Sequence, residues 1–170
     1  MRIIGPPSIG DLNVVLDRLT VEGATTQFRF ELAPLMWAAG SEYVIDPVGM
    51  IAQSFLETGA GKFGGRVQPK FYNPAGIKIR HMELIPGVTD GDNPLSHTMF
   101  PNWQVGVRAQ AQHLRAYAGW DIDGEIVDPR YLFVIGKHRC ERFSELGGKW
   151  APSLAYGDRI EAIMRRLGVV

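Results

Sequence analysis

The stretch DPVGMIAQSFLETG, residues 46–59, carries both ends of a helix in its own letters. Asp46 is an N-cap residue, whose side chain accepts from the first free N–H groups. Pro47 suits the first helical position, where no N–H is needed. Val48, Ile51, Ala52, Phe55 and Leu56 recur at three- and four-residue spacing and make one apolar stripe. Gly59 supplies the left-handed residue at which helices stop. At about 100° per residue, Glu57 lies opposite that stripe, on the side of Met50 and Gln53, and is expected outside the core. No other element of the chain is so clearly bounded.

Around it the pattern is mostly helical. Leu12, Val15, Leu16 and Leu19 predict a short helix over Ser8 to Leu19, and TVEGATTQ reads as the loop after it. FELAPLMWAAG predicts a second helix that ends at Gly40. From Gly59 to Pro101 the character changes: FGGRVQPKFY and GIKIRHMELI alternate with turn clusters such as TDGDNP. That stretch reads as loops and one small hairpin lobe. Helical spacing returns in PNWQVGVRAQAQHLRAYAG, where Trp103, Val107, Ala111, Leu114 and Ala118 mark a buried face. It returns again at the end of the chain, with Ile160, Ile163, Met164 and Leu167 inward and Arg165 and Arg166 in the last turn. The expected class is α+β, predominantly α. No internal repeat or low-complexity tract appears.

A chain of 170 residues with 45% hydrophobic residues is enough for one domain and a proper core, with residues 1–25 as an N-terminal arm and helix. Lys+Arg and Asp+Glu are both 18. That balance argues against nucleic-acid binding by phosphate neutralisation and against a polybasic membrane anchor. No apolar run reaches a membrane span, and Pro6 and Pro7 interrupt the N-terminus before any signal-length stretch, so no membrane insertion and no signal peptide are expected. Cys140 is the single cysteine and has no partner for an internal disulfide.

Several chemical signals weigh little. Gly-Ala-Gly-Lys, residues 59–62, has Leu56 where a phosphate loop needs its first glycine and Phe63 where it needs Ser or Thr. His81, His97, His113 and His138 are far apart, with no HExxH or cysteine pair, so neither a metal nor a cofactor is expected. No GxSxG elbow occurs. Glu57 weighs more. It stands in the last turn of its helix, at the negative end of the dipole, where the field and partial burial both favour the protonated acid. Phe71, Tyr72, Trp103, Trp120, Trp150 and Tyr156 lie in or beside turn-rich segments. Taken singly they read as core aromatics; as a set they suit a saccharide cleft.

The ordered set DPVGMIAQSFLETGAGKFGG, FYNPAGIK, GDNPLSHTMFPNWQVGVRAQAQHLRAYAG, DPRY and LGGKWAPSLAYGDRI resembles the glucosaminidase family of peptidoglycan hydrolases, in the branch found in phage endolysins and bacterial autolysins. The likeness runs from about Leu32 to Leu167. It implies a lysozyme-like helical domain whose small β lobe forms a cleft. It implies hydrolysis of the β-1,4 bond between N-acetylglucosamine and N-acetylmuramic acid, with Glu57 as the general acid. Asp92, in the GDNPLSH turn, is the expected second carboxylate, ahead of Glu83 and Asp90. An inverting base stands roughly 6.5–9.5 Å from the acid. The substrate's own N-acetyl oxygen is the alternative to any base.

Tyr72, Asn73, Lys78 and Trp150 are expected to line the glycan groove, with Tyr156 nearby. Where the family opens a segment with tyrosine this chain has Trp150, which leaves Tyr156 as the source of that hydroxyl. The expected partner is cell-wall peptidoglycan and the expected state a monomer. The expected place of action is the wall, reached by holin-type release from a host cytoplasm or by another export route. The rival readings are a lytic transglycosylase or muramidase of the same fold, and a non-catalytic wall-binding or phage structural module.

Overall fold

The computed structural model describes residues 1–65, 67–79 and 93–170. Its helices are α1 (Leu12–Val21), α2 (Ala33–Tyr43), α3 (Pro47–Thr58), α4 (Trp103–Ala118), the single turn α5 (Tyr131–Val134) and α6 (Tyr156–Arg166).

Helix α3 begins and ends where its letters place it. The Asp46 carboxylate accepts from Val48 N, and Gly59 takes a left-handed φ of 59°. Asp46 also accepts from the backbone N of Ser8, which ties the N-terminal segment to this cap. Helix α4 is capped by Asn102, which accepts from Val105 N, and stops at Gly119 with φ 76°.

The first two helices differ from expectation at their ends. Helix α1 starts at Leu12, because Asp11 accepts from Asn13 N and so caps it three residues later than Ser8 would. Helix α2 does not stop at Gly40 but runs on to Tyr43, and Val44 takes the left-handed position at φ 55°. Gly40 serves packing instead. A Cβ there would stand 2.7 Å from the Cβ of Pro47, so its absence lets α2 close on the start of α3. A π-helical turn, Phe28–Leu32, leads into α2.

Helix α3 is central. It packs against α2 on one side and α6 on another, and α2 also packs along α4. The side of α3 opposite the apolar stripe is therefore packed as well. Met50 and Gln53 are as fully buried as Ile51 and Ala52. Only Leu56, Glu57 and the Gly59 cap reach partial or full exposure near its C-terminal end. One core cluster draws Val15 and Leu19 from α1, Met36 from α2, Met50 and Ile51 from α3, Val107 and Leu114 from α4, and Ile160 and Met164 from α6. Trp103 joins it as the inward anchor of α4.

The expected hairpin lies within the stretch from Gly59 to Pro101, of which residues 66 and 80–92 lie outside the described residues. What is described beside it is an antiparallel bridge between Lys78 and His97, with Thr98 N donating to Ile77 O and Ile79 N to Ser96 O, both at 2.9 Å. Among the described residues no helix is long and apolar enough to cross a membrane.

Candidate active site

Glu57 lies on the wall of an open cleft of about 420 Å³. Its other lining groups include Gly76, Lys78, His97, Trp150, Ala151 and Pro152. The cleft is set between the end of α3, the loop through residues 75–78 and the segment ahead of α6. Glu57 is partly exposed as a residue, yet its carboxyl is enclosed by protein atoms. Burial pushes that carboxyl above the usual carboxylate range. The hydrogen bond from Tyr156, then the charges of Lys78 and Arg159, pull it back without cancelling the rise.

The two carboxylate oxygens have different surroundings. Oε1 accepts the Tyr156 hydroxyl at 2.6 Å. Oε2 faces Gly76, where a Cβ would stand only 3.2 Å away. Gly76 has φ +63°, a backbone form that glycine adopts without strain, so one residue supplies both the turn and the open space over the acid. Tyr156 is buried, and burial followed by the neighbouring Glu57 carboxylate holds its phenol protonated far above the ordinary range.

Lys78 and His97 form the opposite pair in the cleft, with Nζ 2.6 Å from Nε2. His97 Nδ1 stands 3.2 Å from Asn93 O and 3.3 Å from Pro94 O. Carbonyls only accept, so the proton belongs on Nδ1 and the bare Nε2 accepts from the lysine. His113 is tied up elsewhere, with Nδ1 2.6 Å from Asp128 Oδ2. Trp150 stands edge-on to His113, with ring centroids 4.6 Å apart, which holds its indole in the cleft wall.

The residues expected in the groove divide. Glu57, Lys78 and Trp150 line it, and Tyr156 meets it from beneath through its hydroxyl. One expectation is corrected. Asn73 is completely buried, and its amide is fully engaged. It donates to Ile77 O and Thr98 O at 2.8 and 2.9 Å and accepts from Ile77 N at 2.9 Å. It builds the loop that carries Gly76 and Lys78 and does not face the groove. Tyr72 is half-buried and packs edge-on against Trp103, with centroids 5.3 Å apart. A Cβ at Gly106 would collide with the Tyr72 carbonyl, so this loop rests directly on α4. Asp92, with Glu83 and Asp90, lies outside the described residues.

Sequence reasoning missed Gly76, His97 and Gln53 as parts of the site. Gly76 and His97 stand inside the FYNPAGIK and GDNPLSH pieces that carry the family likeness, and Gln53 left a trace as a polar residue one helical turn before Glu57 on the same face.

A desolvated carboxyl on the wall of an open cleft suits the general acid of a glycoside hydrolase. Residues 33–168 match the Glucosaminidase family model, described as mannosyl-glycoprotein endo-beta-N-acetylglucosaminidase, and the chain belongs to that family. It is also similar to an uncharacterized protein of Borreliella burgdorferi, 33% identical over 117 residues, which are 68% of this chain and 52% of that protein. The chain thus spans about half the length of the curated relative it matches. No solved structure matches the chain.

Proposed function

We propose that the chain hydrolyses the β-1,4 bond between N-acetylglucosamine and N-acetylmuramic acid in bacterial peptidoglycan, acting at the cell wall with Glu57 as general acid. The observation that carries this reading is the Glu57 carboxyl itself. It is held above the usual carboxylate range by burial, in a cleft open enough for a sugar chain. An acid that keeps its proton near neutral pH can protonate a leaving glycosidic oxygen. Trp150 offers an aromatic face to a sugar ring, and the Lys78–His97 pair offers polar contacts to its substituents. Family membership supports the same reading.

In this proposal Asp92 activates the attacking water, as an inverting mechanism requires. Asp92→Asn then loses most activity while Glu83→Gln and Asp90→Asn keep theirs. Activity retained in all three variants would shift the mechanism to the substrate's N-acetyl oxygen.

The test of the bond is the product. Digested peptidoglycan, reduced with borohydride and separated by chromatography with mass spectrometry, should show N-acetylglucosamine at the reducing end as its alditol. Reduced muramic acid would mark a muramidase. An anhydro end that borohydride leaves untouched would mark a transglycosylase. Wall binding without cleavage would leave only a binding module. Any of these three results overturns the proposal.

A further inference from the structure

Gln53 and Glu57 stand four residues apart on one face of α3, and behind them lies a line of buried polar groups that reaches α4. Gln110 Nε2 donates to Gln53 Oε1 at 2.9 Å. Gln53 Nε2 donates to the Tyr156 hydroxyl at 3.1 Å, and that hydroxyl donates to Glu57 Oε1 at 2.6 Å. Gln53, Gln110 and Tyr156 are all buried.

The direction of this line follows from its far end. Gln110 Nε2 also donates to Met50 O at 3.0 Å. A backbone carbonyl can only accept, so the amide nitrogen of Gln110, and not its oxygen, must face that point. What Gln110 then offers Gln53 is an N–H. Gln53 must turn its oxygen toward Gln110 and its NH₂ toward Tyr156. The phenol oxygen is thereby an acceptor, and its single hydrogen has one destination, Glu57 Oε1. Reversing Gln110 would set two oxygens face to face at Met50. Among the described residues its own Oε1 has no partner in the present orientation, and the Met50 carbonyl sets the sense.

We propose that the line Met50 O–Gln110–Gln53–Tyr156 determines which oxygen of Glu57 carries the transferable proton: Oε1 is held as an acceptor, and the hydrogen rides on Oε2, which faces Gly76 and the cleft. A proton on Oε1 would point at the phenol hydrogen. Without the line the phenol is free to turn round and accept from Oε1–H, which would bury the proton inside the protein. Gln53 and Gln110 are positioning residues that act through Tyr156.

In the reaction the Oε2 proton passes to the leaving glycosidic oxygen as its bond to the sugar carbon breaks. Water adds its hydroxyl to that carbon and gives up its other proton to solvent, from which Glu57 is reprotonated for the next turnover. The Glu57 carboxylate left behind keeps the Tyr156 donor. This inference rests on Glu57 being the general acid.

The test reads Glu57 directly as well as through turnover. Among the described residues the groups that face its carboxyl are Tyr156 and Arg159 from α6 and Lys78 from the loop, with His97 across the cleft. The double variant Gln53→Met, Gln110→Met leaves all of them in place. It removes both partners of one hydrogen bond together, which is better tolerated than removing one. Gln110→Met alone is the second variant; it removes only the group that fixes the orientation of Gln53. The Glu57 side-chain carboxyl carbon is followed by ¹³C NMR across pH, with Glu57→Gln to assign it, and folding is checked by circular dichroism.

The expected result is a Glu57 titration moved to higher pH, because the carboxylate no longer holds a committed donor. The high-pH limb of the kcat profile should move the same way. At the plateau kcat should fall about 10-fold, the weight of one such hydrogen bond, with KM unchanged. A folded variant whose Glu57 titration and pH limb stay where they are in the unmutated protein overturns the proposal. Because the NMR titration needs no turnover, it stands whichever glycosidic bond the protein cuts. Failure of the product test and failure of the line are thus separate results.

Discussion

The Tyr156 hydroxyl donates to Glu57 Oε1 across 2.6 Å, joining the first residue of α6 to the last turn of α3. This contact decides how the candidate acid behaves. Burial raises the carboxyl, the phenol steadies its ionised form, and the balance remains on the raised side.

Glu57→Gln should abolish general acid catalysis while keeping the acceptor for Tyr156. Wall lysis should fall by about 10²–10⁴-fold, measured as turbidity loss. The same variant should melt higher than the unmutated protein at neutral pH. Glu57 binds its proton more tightly folded than unfolded. Its stabilising contribution is therefore complete below the ordinary carboxylate range and is lost as pH rises through its raised folded value. The gap in melting temperature between the two proteins should accordingly shrink as pH is lowered. A gap that widens toward acid pH would contradict the raised carboxyl.

Gly76→Ala places a methyl group 3.2 Å from Glu57 Oε2 and asks a side chain to adopt φ +63°. The backbone cost is of order 1–3 kcal/mol and should appear in the melting temperature. The catalytic cost should exceed it: kcat should drop at least 10-fold in the folded variant, because a methyl beside Oε2 fills the space of the substrate. A kcat within twofold of the unmutated protein would show that Oε2 does not face the reacting bond.

Asn73→Ala removes three hydrogen bonds from a buried site and leaves Ile77 N, Ile77 O and Thr98 O without those partners. Ile77 O keeps the Thr98 N–H, so the groups left without a partner from Asn73 alone are Ile77 N and Thr98 O, at a cost of about 1–3 kcal/mol each. Thermal denaturation should show a loss larger than for a surface change such as Lys62→Ala. Both KM and kcat should suffer, since the loop also carries Gly76 and Lys78.

Trp150→Phe keeps an aromatic face but removes the indole from the cleft wall. Chitooligosaccharides added to the unmutated protein should change tryptophan fluorescence, and the variant should lose much of that response. Trp103 lies in the core, so its emission should contribute little to the change. An undiminished response in the variant would place the sugar away from Trp150.

The helices were legible in the letters because their signals are local. Asp46, Asn102, Gly59 and Gly119 make or permit bonds within a few residues of themselves. The apolar spacing of α4 and α6 survives any packing arrangement that buries it. The family likeness worked in the same way, as an ordered run of such local pieces around Glu57. Gly40 misled because a glycine can end a helix or admit a neighbour, and only the arrival of Pro47 distinguishes the two.

What the letters could not hold is whatever depends on two distant segments meeting. The face of α3 with Met50 and Gln53 looks open in a helical projection, but other helices pack over it, so it is buried. Asn73 has the composition of a sugar-binding residue, yet its amide turns inward because Ile77 and Thr98 present it with three backbone partners. Tyr156 reaches Glu57 across 99 residues of chain, and Gln110 reaches Gln53 across 57. The sequence by itself determined where the helices lie and which carboxylate stands at the end of α3. The tertiary structure alone decided that this carboxylate is desolvated and which of its oxygens faces the cleft. Desolvation and hydrogen-bond direction are set by atoms brought together through packing, and no spacing along the chain encodes them.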